Sequence, residues 1–252
     1  KCSLYFESDD DVILDVGEVT SLINHSKDNL EDASIVTKTG AKFRLESKGC
    51  YVLDFIHSLY MVKGAFELAT VYPSYACLVV TFKKTRLSDD LEYIFSLKDG
   101  ERGLLVNGLK LEILGAIGDE GKNIPYIMEE WNIMFIQWSY NGDNMGFYQI
   151  NEEKGSFKTS IDVITHPTNE VYIGASYKNG KPEFFFEGSI AVMDVFCAQP
   201  SPEKELPLKL RKLIINDHYN RVYGFQRKKK SRGRKYFGST EDFRRDQVIF
   251  WF

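Results

Sequence analysis

The chain lacks any apolar run of about eighteen residues, so it encodes no helix of membrane-spanning length. Sustained 3.6-residue periodicity is also scarce, which leaves room only for short helices. No Cys-x-x-Cys spacing joins its 4 cysteines. Its 4 histidines, His25, His57, His166 and His218, are too far apart in sequence for a metal-ligand motif, so each reads as a surface or strand-end residue. Also absent is the Glu-x-Asp-x-x-Glu spacing that sets paired carboxylates on one strand face, as one common glycoside-hydrolysing arrangement requires. The nearest fragment to a lyase-type polar set, Phe43-Arg44-Leu45-Glu46, has no Gln-x-His strand to answer it. These absences lead to the expectation that the chain is not an enzyme. It starts at Lys1 with neither Met nor an apolar leader, which reads as a processed or excised piece.

What is abundant is aromatic. Phe, Tyr and Trp make up 14% of the 252 residues, and this suits strands better than helices. Alternating apolar residues mark strands near 2–6, 12–16 and 41–45, with a polar loop over 20–40. The loop holds one glycosylation sequon, Asn24-His25-Ser26, and the cluster Asp9-Asp10-Asp11 reads as a solvated turn. Further strands follow at 51–55, 59–62, 76–83, 93–97, 103–106, 110–114, 132–140, 146–150, 157–161, 172–175 and 184–196. Turn signals such as Asn107-Gly108, Asn141-Gly142 and Asn179-Gly180 separate them. Short strands, Asn-Gly turns and no intervening helices predict an all-β fold of two antiparallel sheets packed face to face. A single short helix is expected within 203–216, with Pro207 near its start.

Charge is divided unevenly. Residues 221–252 carry 10 Lys or Arg against 3 Asp or Glu, leaving 22 basic against 33 acidic residues in 1–220. The densest run is Arg227, Lys228, Lys229, Lys230, Arg232, Arg234 and Lys235. These would hold a polyanion as point charges and guanidinium forks; a processing site, a nuclear localisation look-alike or a solubilising tail would have the same composition. No recognition helix or RNA-binding motif accompanies the run, so nucleic acid is not an expected partner. The even count of Cys2, Cys50, Cys77 and Cys197 suits two disulfides or four buried thiols, and two bridges allow three pairings.

Trp131, Phe135, Gln137 and Trp138, then Tyr172-Ile173-Gly174, then Phe186, Gly188, Ile190 and Asp194-Val195-Phe196 resemble the back half of a laminin-G-like, concanavalin-A-like jelly roll. Val52-Leu53-Asp54-Phe55 and the strand from Cys77 to Phe82 resemble earlier strands of that family, so the likeness covers about 50–215. Its motifs are scaffold positions, informative about fold and not about activity. The resemblance implies N-terminal strands and loop over 1–49, a jelly roll over 50–215 and a basic, partly extended segment over 216–252. It also implies a secreted, extracellular-matrix setting and a Cys2–Cys197 bridge, leaving Cys50 with Cys77. One calcium ion is a family option, with Asp99, Asp119, Asp143 and Asp162 near turns that would supply it. The implied role is a non-catalytic adhesion module engaging acidic polysaccharide, a matrix protein, or chitin or a calcium carbonate surface, as in the invertebrate shell-matrix Pif type. The alternative is a lectin-like or polysaccharide-active domain on the same sandwich.

Overall fold

The computed structural model describes residues 4–5, 12–15, 18–22, 33–46, 51–63, 75–97, 103–139, 145–159, 170–198, 208–223 and 248–250. The chain opens with β1 (Leu4–Tyr5), β2 (Val12–Asp15), β3 (Glu18–Leu22), β4 (Ala33–Ile35) and β5 (Ala41–Leu45). Next come β6 (Tyr51–Phe55), β7 (Tyr60–Lys63), β8 (Tyr75–Lys83), β9 (Leu91–Leu97), β10 (Gly103–Asn107) and β11 (Lys110–Leu114). The short β12 (Ala116–Ile117) and β13 (Ile124–Pro125) lead to β14 (Asn132–Ser139), β15 (Met145–Ile150), β16 (Glu153–Thr159) and β17 (Glu170–Ile173). The hairpin of β18 (Ser176–Lys178) and β19 (Lys181–Glu183) precedes β20 (Gly188–Ala198), helix α1 (Leu208–Tyr223) and β21 (Val248–Phe250).

These strands form the antiparallel β-sandwich that the composition and turn spacing predict. One layer runs β16, β15, β14, β8, β20. The far side of β20 is shared by β6, β1 and β21, and β5 continues beyond β6. The other layer runs β4, β7, β17, β9, β10, β11, β13. At one margin β3 pairs with both β5 and β4, and at the other β12 pairs with β16, so the layers are stitched together at both margins. Among the described strands, few edges of the kind that recruit other chains are left bare.

Side-chain alternation fills the space between the layers. On β8, Leu78, Val80 and Phe82 point into the main core with Leu53, Phe55, Ile136 and Ile190, and Ile94, Leu104, Val171 and Ile173 meet them from the opposite layer. The other face of β8 is apolar too: Cys77 and Val79 pack with Ile133, Phe135 and Ile214 of α1. Helix α1 therefore lies across the outside of the β14–β8–β20 layer. Its Ile214, His218 and Val222, spaced four apart, are its buried residues.

Several elements depart from expectation. The described helix covers 208–223 and runs past the expected end at 216, because His218 and Val222, which help bury it, fall beyond that end. The strand expected over 184–196 starts only at Gly188, because Phe184 adopts a left-handed backbone with φ of 57°. Two strands, β3 and β4, occupy part of the segment expected to be a polar loop.

Candidate functional site

The sharpest local anomaly is the segment 184–187, between the β18–β19 hairpin and β20. Its backbone is pinned residue by residue. The Tyr93 N–H donates to the Phe184 carbonyl at 2.9 Å, and the Phe186 N–H donates to the Gly174 carbonyl at 2.8 Å. Glu187 is held from both sides: its N–H donates to Glu92 Oε2 at 2.8 Å, and Lys84 Nζ donates to its carbonyl at 2.9 Å. Lys84 Nζ also donates to Glu92 Oε1 at 2.7 Å, and both charged side chains are buried. A paired, fully hydrogen-bonded ion pair is the form in which such charges are tolerated inside a protein.

Gly174 completes the anchor. Its φ is 90°, and a Cβ there would lie 2.4 Å from the Phe55 ring and 2.6 Å from the Ser58 carbonyl oxygen, so only glycine fits. Its N–H donates to the Ile94 carbonyl at 3.0 Å while its own carbonyl receives Phe186. The glycine of the Tyr-Ile-Gly motif thus joins β9 to the Phe-rich corner.

Upon this rigid corner the three phenylalanines take different fates. Phe186 is fully buried in the core. Phe185 packs on the cluster of Leu59, Tyr172 and Ala175 outside β17, with the His57 ring 5.3 Å away. Phe184 is 44% exposed, and its ring stacks beside Tyr93 at 5.9 Å between centroids. His57 also has a left-handed backbone, is largely exposed, and brings Nε2 to 3.6 Å from Glu187 Oε1. The Tyr93 hydroxyl has its pKa raised, first by burial and then by the charge of Glu112. Tyr93 and Phe184 thus form a surface ledge, and His57 contacts the adjoining Phe185 and Glu187.

Two other polar constellations hold structure together. Thr81 Oγ1 lies 2.8 Å from His218 Nδ1, and His218 Nε2 lies 3.2 Å from Asp194 Oδ2. That hydroxyl–imidazole–carboxylate connectivity resembles a nucleophilic relay. All three side chains are sealed beneath α1, at most 1% exposed, so substrate has no access and the line tethers the helix to β8 and β20. His218 is therefore no surface residue. On the same outer face, Arg44 bridges Glu46 and Asp54, Lys83 reaches Glu46 at 3.2 Å, and Lys83 Nζ sits 4.8 Å from the Trp131 ring centre. Burial pushes the Glu46 carboxyl up, but hydrogen bonds from Arg44 and Lys83 outweigh it and hold its pKa below the ordinary value.

The residues singled out from sequence fall elsewhere. Arg227, Lys228, Lys229, Lys230, Arg232, Arg234 and Lys235 lie outside the described residues, as do Cys2 and Cys50. Cys77 is buried with its Sγ 3.7 Å from Gln137 Oε1, and Cys50, its expected bridge partner, lies outside the described residues. Of the proposed calcium carboxylates, Asp119 is exposed and lies 3.8 Å from Lys122 Nζ, whereas Asp99, Asp143 and Asp162 are outside the described residues. Among the described residues, no group of three or more His, Cys, Asp or Glu is placed to hold a metal. The ledge itself escaped the sequence reading because 184–196 looked like one alternating strand. The signal was present, since three consecutive phenylalanines cannot all face one side of a strand.

No family model and no curated protein matches the chain. Among solved structures it resembles domain 4 of AbnA, a GH43 extracellular arabinanase from Geobacillus stearothermophilus, solved in complex with arabinotriose. The identity is 13%, the TM-score 0.51, and the match covers 81% of this chain and 94% of that one. Trypanosoma rangeli sialidase in a covalent-intermediate complex matches at 12% identity and TM-score 0.49, over 81% of this chain and 34% of that one. NanB sialidase from Streptococcus pneumoniae matches at 15% identity and TM-score 0.39, over 59% and 26%. The chain thus spans about a third of the length of the Trypanosoma sialidases it matches. The likeness is one of fold: an all-β sandwich, with the laminin-G resemblance reduced to that architecture. The expectation that the chain is not an enzyme is corrected to an open one, because the fold it shares is also that of a domain of an arabinanase. The missing carboxylate spacing excludes one catalytic arrangement only.

Proposed function

We propose that this sandwich is a carbohydrate-binding domain of a carbohydrate-active protein, and that the Tyr93–Phe184 ledge receives the sugar. The observation that carries the reading is Phe184, a bulky aromatic held half-exposed in a left-handed backbone by anchored neighbours. A strained conformation at a surface aromatic, over-determined by its surroundings, is the pattern expected where display of the ring matters more than local stability. Aromatic rings offer a flat apolar face to the C–H face of a sugar, and Tyr adds a hydroxyl at the rim. His57 and Glu187, grouped about the adjoining Phe185, would supply a donor and an acceptor for sugar hydroxyls. The anchoring of 184–187 means that little order has to be imposed on binding. The fold likeness to an arabinanase domain solved with arabinotriose supports the same reading.

The test is binding of the full chain to a panel of immobilised glycans, comparing wild type with Tyr93→Ala and Phe184→Ala. Loss of at least about tenfold in affinity for a glycan the wild type retains is expected, since removing one stacked aromatic costs about 1.4 kcal/mol or more. Both variants should keep the wild-type circular dichroism spectrum. Unchanged binding in both would remove the ledge from the reading.

A further inference from the structure

Resting on the carbohydrate-binding reading, we infer that the ledge selects glycans without acidic groups and rejects sialylated, uronic or sulfated chains. Three carboxylates lie on the segments that form it or pair next to it. Glu183 is exposed and immediately precedes Phe184. Glu187 follows the Phe run and projects Oε1 toward His57. Glu112, across β10 from Tyr93, is close enough to act electrostatically on the Tyr93 hydroxyl.

Among the described residues, cations near these charges have partners or positions of their own: Lys110, two residues from Glu112 on β11, donates Nζ to Asn123 Oδ1 at 3.0 Å. Lys84 is buried against Glu92 and the Glu187 carbonyl. Lys178 and Lys181 face each other at the turn end of the β18–β19 hairpin, the end remote from Phe184. His57, among the described residues, is the imidazole recorded at this corner, and its Nε2 is already 3.6 Å from Glu187 Oε1. A carboxylate or sulfate on a stacked sugar would therefore meet like charge on several sides, a repulsive element that discriminates more sharply than any single attractive contact. Neutral hydroxyl-bearing sugars meet acceptors instead, and carboxylates are good acceptors for sugar hydroxyls. The acidic balance of residues 1–220, 33 acids against 22 bases, adds to the same field.

The experiment uses the full chain as wild type, Phe184→Ala and the triple variant Glu112→Gln/Glu183→Gln/Glu187→Gln. Each is titrated by biolayer interferometry onto immobilised arabinan, xylan and galactan as neutral probes, and onto polygalacturonate, polysialic acid and heparin as acidic ones. Phe184-dependent binding is expected for at least one neutral probe, with Phe184-dependent affinity for every acidic probe lower by about tenfold or more. The triple variant should narrow that gap. Retention of an acidic probe that is unaffected by Phe184→Ala is binding outside the ledge and leaves the expected selectivity intact. Phe184-dependent binding that favours an acidic probe overturns the inference while keeping the ledge as a sugar site. Absence of Phe184-dependent binding to all six overturns the ledge reading and this inference with it.

Discussion

Phe184 sits in a backbone well that costs a bulky residue about 1–2 kcal/mol, and the neighbouring hydrogen bonds hold it there. Phe184→Gly removes that strain but also the ring contact with Tyr93, and it adds conformational freedom to the unfolded chain. These offset each other, so thermal and urea unfolding should place the variant within about 1 kcal/mol of wild type while glycan binding is lost. Lys84 behaves oppositely. Lys84→Met leaves Glu92 buried without its cation, and urea unfolding should register a loss of about 3–5 kcal/mol. Glu46 sets a pH dependence. Its folded pKa lies below the ordinary 4.5, so its contribution is complete above that value and is lost as pH falls through the lowered folded one. Glu46→Gln should therefore flatten the acid limb of a stability profile below about pH 4.5, read by urea midpoint against pH.

At the scale of elements, α1 is held by one stripe of side chains and not by its own composition. It has no acidic residue in its first turn, and its buried positions are Ile214, His218 and Val222. Ile214→Ala should cost about 2–5 kcal/mol, whereas Leu213→Ala, at a position 48% exposed, should stay within about 0.5 kcal/mol. Equal effects of the two changes on the urea midpoint would contradict the docking of α1 described above. The same dependence on packing explains why the helix was misplaced from sequence: its end is set by His218 reaching Thr81 and Asp194, residues more than twenty positions away. Likewise the Phe-rich segment reads as strand in sequence but turns aside at Phe184, because Tyr93, Gly174, Glu92 and Lys84 bind its backbone from other strands. Lys84 and Glu92 lie eight residues apart and Glu187 about a hundred beyond, so no local pattern marks the clamp.

At the scale of the whole molecule, charge separates an acidic body from a basic C-terminal run. We propose, as the sequence composition implies, that Arg227, Lys228, Lys229, Lys230, Arg232, Arg234 and Lys235 bind polyanions independently of the ledge. Heparin retention should then fall steeply between low and high salt and be indifferent to Phe184→Ala, whereas ledge binding should change little with salt. Replacing four of the seven by Ser should abolish that retention, and salt-insensitive retention would count against the run. The all-β architecture and the strands at 51–55 and 110–114 were legible in alternating apolar residues and Asn-Gly turns, because the side-chain period of two and the turn chemistry are local properties. Strands β3 and β4 were not legible, since runs of only five and three residues become strand by pairing with each other and with β5 and β7 at the sandwich margin. By itself the sequence determined the fold class, the core-facing positions of the long strands and the division of charge, all of which follow from short-range periodicity and composition. Only the tertiary structure decided where α1 ends, which of three consecutive phenylalanines is displayed, and that Tyr93 and His57 share its corner, because those outcomes depend on hydrogen bonds and packing between residues far apart in the chain.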